Sequence, residues 1–291
     1  MTELTTIDTN NYAATAQLLG QAFDTNDKRP KLARLRIEKK SIMGDTEVNG
    51  KKVRVEAVPA GSLALESSDG NTIFAEKATI RIFLQRFMYQ KWDNTKETFF
   101  KSVLADSFKE DLKDTTGTFN CGKPSGFIED WHSLPEAMRE SISRVKRVRV
   151  TFGTVTMSGV TKAGDAQDVV DIPFVWEVAT KEGFKNVGGI VAKMNSLQRL
   201  LPQHNVEVTV EKREMTNGNE YYVPVLELDM SSNIEVTDDV DQDTIKEFFS
   251  YVESTNKWVL EEYNKNYQEE VSQEDEDTVD GFIDVIVDEE E

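Results

Sequence analysis

Between Thr79 and Lys101 the chain alternates cations with aromatic rings. Read as a strand, Thr79–Lys91 puts Ile80, Ile82 and Leu84 on one face and Arg81, Phe83, Gln85, Phe87, Tyr89 and Lys91 on the other, since successive strand side chains point to opposite sides. Trp92 leads into Asp93-Asn94-Thr95-Lys96, a turn-forming run, and Thr98–Leu104 returns with Phe99, Phe100 and Lys101. Rings on which bases stack and cations that meet phosphates are what a groove for single-stranded nucleic acid requires, each stacked base contributing about 1–3 kcal/mol. Two further segments carry one basic face. Arg34 and Arg36 alternate with Leu35 and Ile37, and Arg147 and Arg149 with Val148 and Val150. Together these segments predict a continuous positive surface. The competing reading is a strand buried on both sides, its rings filling core.

Other chemistries lack their residues. With one cysteine, Cys121, and two distant histidines, His132 and His204, a four-ligand zinc site built from Cys and His is excluded by count. Val187-Gly188-Gly189 has no following Lys-Ser/Thr pair, so it is not a P-loop. No Gly-x-Ser-x-Gly elbow is present. Cys121 beside Lys123 reads as a small structural thiol, and the acidic pairs of the C-terminal region have no rigid scaffold to hold a metal. The expectation is a binding protein without catalytic residues, metal or cofactor.

The 291 residues carry a formal net charge of −19, with 34 basic and 53 acidic side chains. Residues 235–291 hold 21 of the acids and only three bases, Lys246, Lys257 and Lys265, a net of −18. Residues 1–234 are left with 32 acids and 31 bases, a net of −1. Blocks of like charge are commonly interaction tails, and beside a basic groove such a tail acts as an internal competitor for phosphate. Within it, Phe282, Ile283, Asp284, Val285, Ile286 and Val287 form an apolar cluster that a purely solubilising tail does not need, which suggests a docking motif for partners. The polar Met1–Gln17 lacks the pattern of a secretory signal, and no apolar run approaches the roughly 18 residues of a membrane span. These features predict a cytoplasmic protein.

The elements expected to position these residues are mostly strands. Residues 1–30 read as an arm with one short helix (Tyr12, Ala16, Leu19, Phe23), and 31–234 as the core. Gly44–Gly50 reads as a polar turn region. Ser107–Arg144 reads as a turn-rich insertion, with a Ser133-Leu-Pro-Glu136 capping box ahead of a short helix. Asn186–Leu201 reads as a helix stopped by Pro202. Asn205–Glu214 and Tyr221–Met230 are joined across Thr216–Asn219, a hairpin turn. Residues 235–268 are expected to carry a C-terminal helix, and 269–291 a disordered acidic tail. Eight or more closely spaced alternating strands argue antiparallel pairing in a barrel or sandwich, a mainly β fold with some α.

Phe74-Ala-Glu-Lys-Ala-Thr-Ile-Arg-Ile-Phe-Leu-Gln-Arg-Phe-Met-Tyr89, with Ala33-Arg-Leu-Arg-Ile37 before it and Cys121-Gly-Lys123 after it, is similar to segments of bacteriophage single-stranded DNA-binding proteins. The resemblance spans roughly Lys31–Met230 plus the tail. It implies an OB-type barrel with inserted loops, no cofactor, and sequence-independent coating of single strands in replication, recombination or repair. The tail would recruit replication or recombination proteins. Carried onto these positions, stacking falls to Phe83, Phe87, Tyr89 and Trp92, and phosphate contact to Arg34, Arg36, Arg81, Lys91, Arg147 and Arg149. The chain departs from the zinc-containing type by lacking its Cys/His cluster. It departs from the metal-free type by ending on Asp288-Glu-Glu-Glu291 rather than on an aromatic residue. The alternative is a phage structural or assembly protein with an oligomerising β core. An acidic DNA mimic fits less well, because the charge sits on the tail rather than on the body.

Overall fold

The computed structural model describes residues 32–48, 51–124, 126, 128–216, 218–236 and 239–287, with side chains for all of these except 46–48, 51 and 268–287. The arm at residues 1–30 lies outside the described residues. In chain order the elements are β1 (Ala33–Ile37), β2 (Ile42–Val48), β3 (Lys51–Val58), β4 (Leu63–Glu66), β5 (Thr72–Ala75), β6 (Ala78–Asp93), β7 (Thr98–Lys101), α1 (Glu136–Ser143), β8 (Lys146–Thr161), β9 (Ala166–Val178), α2 (Lys181–Ser196), β10 (Asn205–Glu214), β11 (Glu220–Leu228) and α3 (Asp239–Val287).

Five strands close on themselves in the order β1-β4-β5-β8-β9 and back to β1. Neighbours are antiparallel except β1 and β9. A closed meander with an odd number of strands must contain one parallel pair, so the expectation of purely antiparallel pairing is corrected at that seam. The molecule is mainly β, with a closed five-stranded barrel, consistent with an OB-like barrel, extra strands and a C-terminal helix. Leu35, Leu63, Leu65, Ile80, Ile82, Val155, Phe174 and Trp176 fill the interior, and α2 adds Val187 and Ile190. The β2–β3 ribbon is separate from the barrel sheet. Gly44–Val48 belongs to a strand of that ribbon rather than to a turn, its polarity matching a ribbon whose described residues are mostly exposed.

β6 and β8 are the spine, each 16 residues long and paired from Thr79–Thr156 to Gln90–Lys146. They run past the barrel, and a bulge between Ile82 and Leu84 puts one extra residue, Phe83, into β6. Gly153 pairs with Ile82 at this point, and any Cβ there would collide with the Arg81 carbonyl. Because strand side chains alternate, one extra residue exchanges the faces beyond it. Arg81 and Phe83 therefore do not share a face with Phe87, Tyr89 and Lys91. Single-face alternation through this stretch is corrected by the bulge.

The outer face is covered by α3. Phe248 is fully buried and joins Val252 against Leu32, Met88, Val148, Val150 and Phe152. Farther along, Asn256 exchanges two hydrogen bonds with the Leu104 backbone, and Asn266 donates to the Thr115 carbonyl at 2.6 Å. α3 continues to Val287, past the boundary expected near Gln268. No proline follows Pro224, and extending a formed helix through Glu- and Gln-rich sequence needs no new nucleus. Phe282–Val287 fall on this helical backbone, and residues 288–291 lie outside the described residues.

Two local expectations also shift. Ser133 donates its hydroxyl to the Asp130 carbonyl and α1 starts at Glu136 behind Pro135 with no side-chain cap, so the capping box does not form. α2 starts and ends five residues earlier than expected, and Pro202 sits instead in a 3-10 turn, Leu201–Gln203.

Candidate nucleic-acid interface

Where β6 and β8 leave the barrel, the register sets Phe87 opposite Arg149 and Tyr89 opposite Arg147. Lys91 continues the same face of β6. Around this face stand Phe184 from α2, Phe108 from the loop after β7, and Cys121 and Lys123 from the next turn. The Arg149 guanidinium packs against two adjoining rings, 4.9 Å from the Phe87 centroid and 4.5 Å from Phe184, the rings themselves being 6.1 Å apart. Arg147 is 5.5 Å from Phe108, which packs against Phe87 at 5.2 Å and Tyr89 at 4.7 Å. Lys91 donates to the Ser141 hydroxyl at 2.7 Å.

No carboxylate among the described residues pairs with Lys91, Lys123, Arg147 or Arg149. The local electrostatics register the crowding. Burial, with the nearby Arg147 guanidinium behind it, holds the Lys123 ammonium below the usual lysine range. Burial alone lowers Arg149. Burial, reinforced by Asp114 and opposed by Lys91, pushes the Cys121 thiol well above its ordinary range. The buried Asp114 carboxylate, which accepts from the Cys121 N–H, is an acid beside this group but pairs with none of its cations. Cations in excess over their counter-charge attract an external anion.

The grooves elsewhere contrast with this strip. One of about 770 Å³ between the ribbon and the β10–β11 hairpin sets Lys39 and Lys212 among Glu56, Glu76 and Glu220, with Lys212 paired to Glu220. Another, of about 410 Å³, holds Arg34 and Lys101 with Glu66 and Glu177. Positive charge there is answered within the chain.

The ten expected contact residues therefore divide. Phe87, Tyr89, Lys91, Arg147 and Arg149 come together. Of these, Tyr89 and Arg149 are buried, Phe87 and Lys91 half-buried and Arg147 exposed. Arg34 and Arg36 stand apart on β1, facing Glu177, Glu38 and Glu66. Arg81 makes a two-point ion pair with Asp241 of α3, at 2.8 and 2.6 Å. Phe83 packs edge-on against Phe248. Trp92 lies near the β6–β7 turn, 42% exposed and edge-to-face with the equally exposed Phe99 at 4.7 Å.

Sequence reasoning missed Phe99, Phe108, Phe184 and Lys123 as members of the site. Phe99, paired with Trp92 across the hairpin, was within reach of strand arithmetic. Phe108 and Phe184 arrive from a loop and a helix and leave no periodic signal. The described residues contain no group of three or more His, Cys, Asp or Glu that could hold a metal, and no helix long and apolar enough to cross a membrane. No protein-family model, curated protein or solved structure matches the chain.

Proposed function

We propose that the protein binds single-stranded DNA without regard to sequence, acting as bacteriophage single-stranded DNA-binding proteins do in replication, recombination or repair. The observation that carries this reading is the strip of Lys91, Lys123 and Arg147, unanswered by any carboxylate among the described residues, at the same end of the spine as the exposed Trp92–Phe99 pair. Trp92 and Phe99 lie one residue along from Lys91 and Phe100 and so project from the opposite face of the hairpin to the cations. A strand that uses both wraps over the end of β6 and β7, with cations for its phosphates on one side and two rings for its bases on the other. Stacking on those rings needs unstacked bases, which favours single strands over duplex.

The acidic C-terminal segment then regulates access and recruits partners. Residues 239–267 are committed to the body through Phe248, Asn256 and Asn266. The charge proposed to compete with DNA is that of residues 268–291, which hold 12 acids and no base. Intrinsic tryptophan fluorescence tests the reading. Poly-dT should quench emission at low salt, and Trp92→Ala should remove most of the quench while leaving the melting temperature unchanged. No change in emission or mobility with poly-dT would reject strand binding and favour the assembly-protein alternative.

A further inference from the structure

Among the described residues, the β2–β3 ribbon leaves the barrel as two strands with no third strand beside them. Two strands alone are marginally stable in water, and three or more make a sheet that holds itself. On β3, Lys52, Val53, Arg54, Val55 and Glu56 are all exposed, Val53 at 43% and Val55 at 37%. The outer edge of β3, a row of backbone donors and acceptors, is therefore open to another strand. Lys52 and Arg54 form no ion pair among the described residues, although Asp45 lies across the ribbon from Arg54. Glu56 accepts from the Ser41 hydroxyl through Oε1, which leaves Oε2 available for a cation.

We propose that a second copy of this chain docks on that edge, β3 against β3 in antiparallel sense about a two-fold axis at Val55. Opposite residues then lie equally far on either side of the axis. Each Val55 meets its own counterpart, and Arg54 of each copy meets Glu56 of the other. Two ion pairs and one β-branched pair result, the kinds of cross-strand contact that stabilise a sheet. Each Arg54 stands between Asp45 of its own ribbon and Glu56 of the second copy. β2 offers no equivalent, because its charged residues, Asp45 and Glu47, are both acids and self-pairing there brings no opposite charge. The two β3 strands run in opposite directions, which puts the barrels at opposite ends of the four-stranded sheet. Regular pairing stops where β3 holds one extra residue, Ala57, beside Ile42 and Met43. The contact is therefore short and predicts a weak, reversible dimer.

The contact does not rest on strand binding and is measured without DNA. Sedimentation equilibrium of the full chain is run at physiological ionic strength, where the net charge of −19 is screened beyond about 8 Å. It should show a monomer–dimer equilibrium. Arg54→Glu sets acid against acid at both pairs, and Glu56→Arg sets base against base. Each should weaken dimerisation at least about tenfold, the equivalent of about 1.4 kcal/mol. Mixed in equal amounts, the two variants regain both opposite-charge pairs and should associate with each other. Cross-linking reads the register. Val55→Cys places two thiols directly opposite, with Cα atoms about 4.5–5.5 Å apart, within disulfide reach, whereas Val53→Cys holds them several residues apart. Mild oxidation should join the first variant into a covalent dimer and leave the second mainly monomeric, Cys121 being buried. A monomer at every concentration, a dimer indifferent to both charge reversals, no association in the mixture, or equal cross-linking of the two cysteine variants would overturn the contact. Poly-dT binding by a protein that stays monomeric removes this inference alone, and a dimer that does not bind poly-dT removes the strand-binding reading alone.

Discussion

At the level of single residues, rings that look equivalent in sequence do different work because their exposure differs. Tyr89 is 2% exposed and Trp92 42%. Replacing Tyr89 by alanine should therefore cost about 3–5 kcal/mol of stability, the usual range for losing a buried ring, as read by urea denaturation. Trp92→Ala should change stability by no more than about 0.5 kcal/mol and should instead cost about 1–3 kcal/mol of affinity for poly-dT. Arg147→Ala should weaken binding of all single strands alike and reduce the slope of log affinity against log salt by about 0.7, the value for one phosphate contact on a single strand. Cys121 should resist alkylation at pH 8.5, where an ordinary thiol is half ionised. Its raised pKa keeps it protonated until unfolding, which iodoacetamide labelling with and without denaturant would show. That Arg147 and Tyr89 share a face was legible from alternation alone. The depth of Tyr89 was not, because Leu112, Cys121 and Phe108, which pack around it, come from a loop with no periodic pattern.

For the elements, the bulge at Phe83 has the largest consequence. Alternation across Thr79–Lys91 reads as one uninterrupted strand, so Arg81 and Phe83 look like part of the aromatic-basic face. One extra residue turns them to the side that α3 covers. Gly153, opposite the bulge, was the single hint in the sequence, and a glycine in a strand admits several explanations. The Arg81–Asp241 pair holds the start of α3, with side chains only 15% and 9% exposed. Removing one partner leaves a buried unpaired group, so Arg81→Ala or Asp241→Asn should cost about 3–5 kcal/mol in urea denaturation, while the salt slope of DNA binding stays unchanged. Equal stability of these variants and wild type would show that α3 is not held there. The β10–β11 hairpin was legible to within two residues, because alternation around a turn marks Asn205–Glu214 as observed and Tyr221–Met230 where the strand runs Glu220–Leu228. The closure of the barrel was not: β1 and β9 meet through only Ala33–Phe174 and Arg34–Val175, contacts between segments some 140 residues apart that no local pattern encodes.

Across the whole molecule, a near-neutral body and an acidic C-terminal segment are separated along the chain, and composition alone revealed this division. The structure moves the dividing line. α3 is held to the body as far as Asn266, and the charge proposed to compete for a strand lies beyond it. Ending the chain at Gln268 removes 12 acids and takes the formal net charge from −19 to −7, without touching the contacts of Phe248, Asn256 or Asn266. The most direct measurement is fluorescence anisotropy with labelled poly-dT and a matched duplex across a salt series, comparing the full chain with the chain ended at Gln268. Strand binding through the Lys91–Lys123–Arg147 strip predicts preference for poly-dT, loss of affinity with rising salt, and tighter binding by the shortened chain. No binding of poly-dT by either protein at low salt, or equal affinity for duplex, would contradict it.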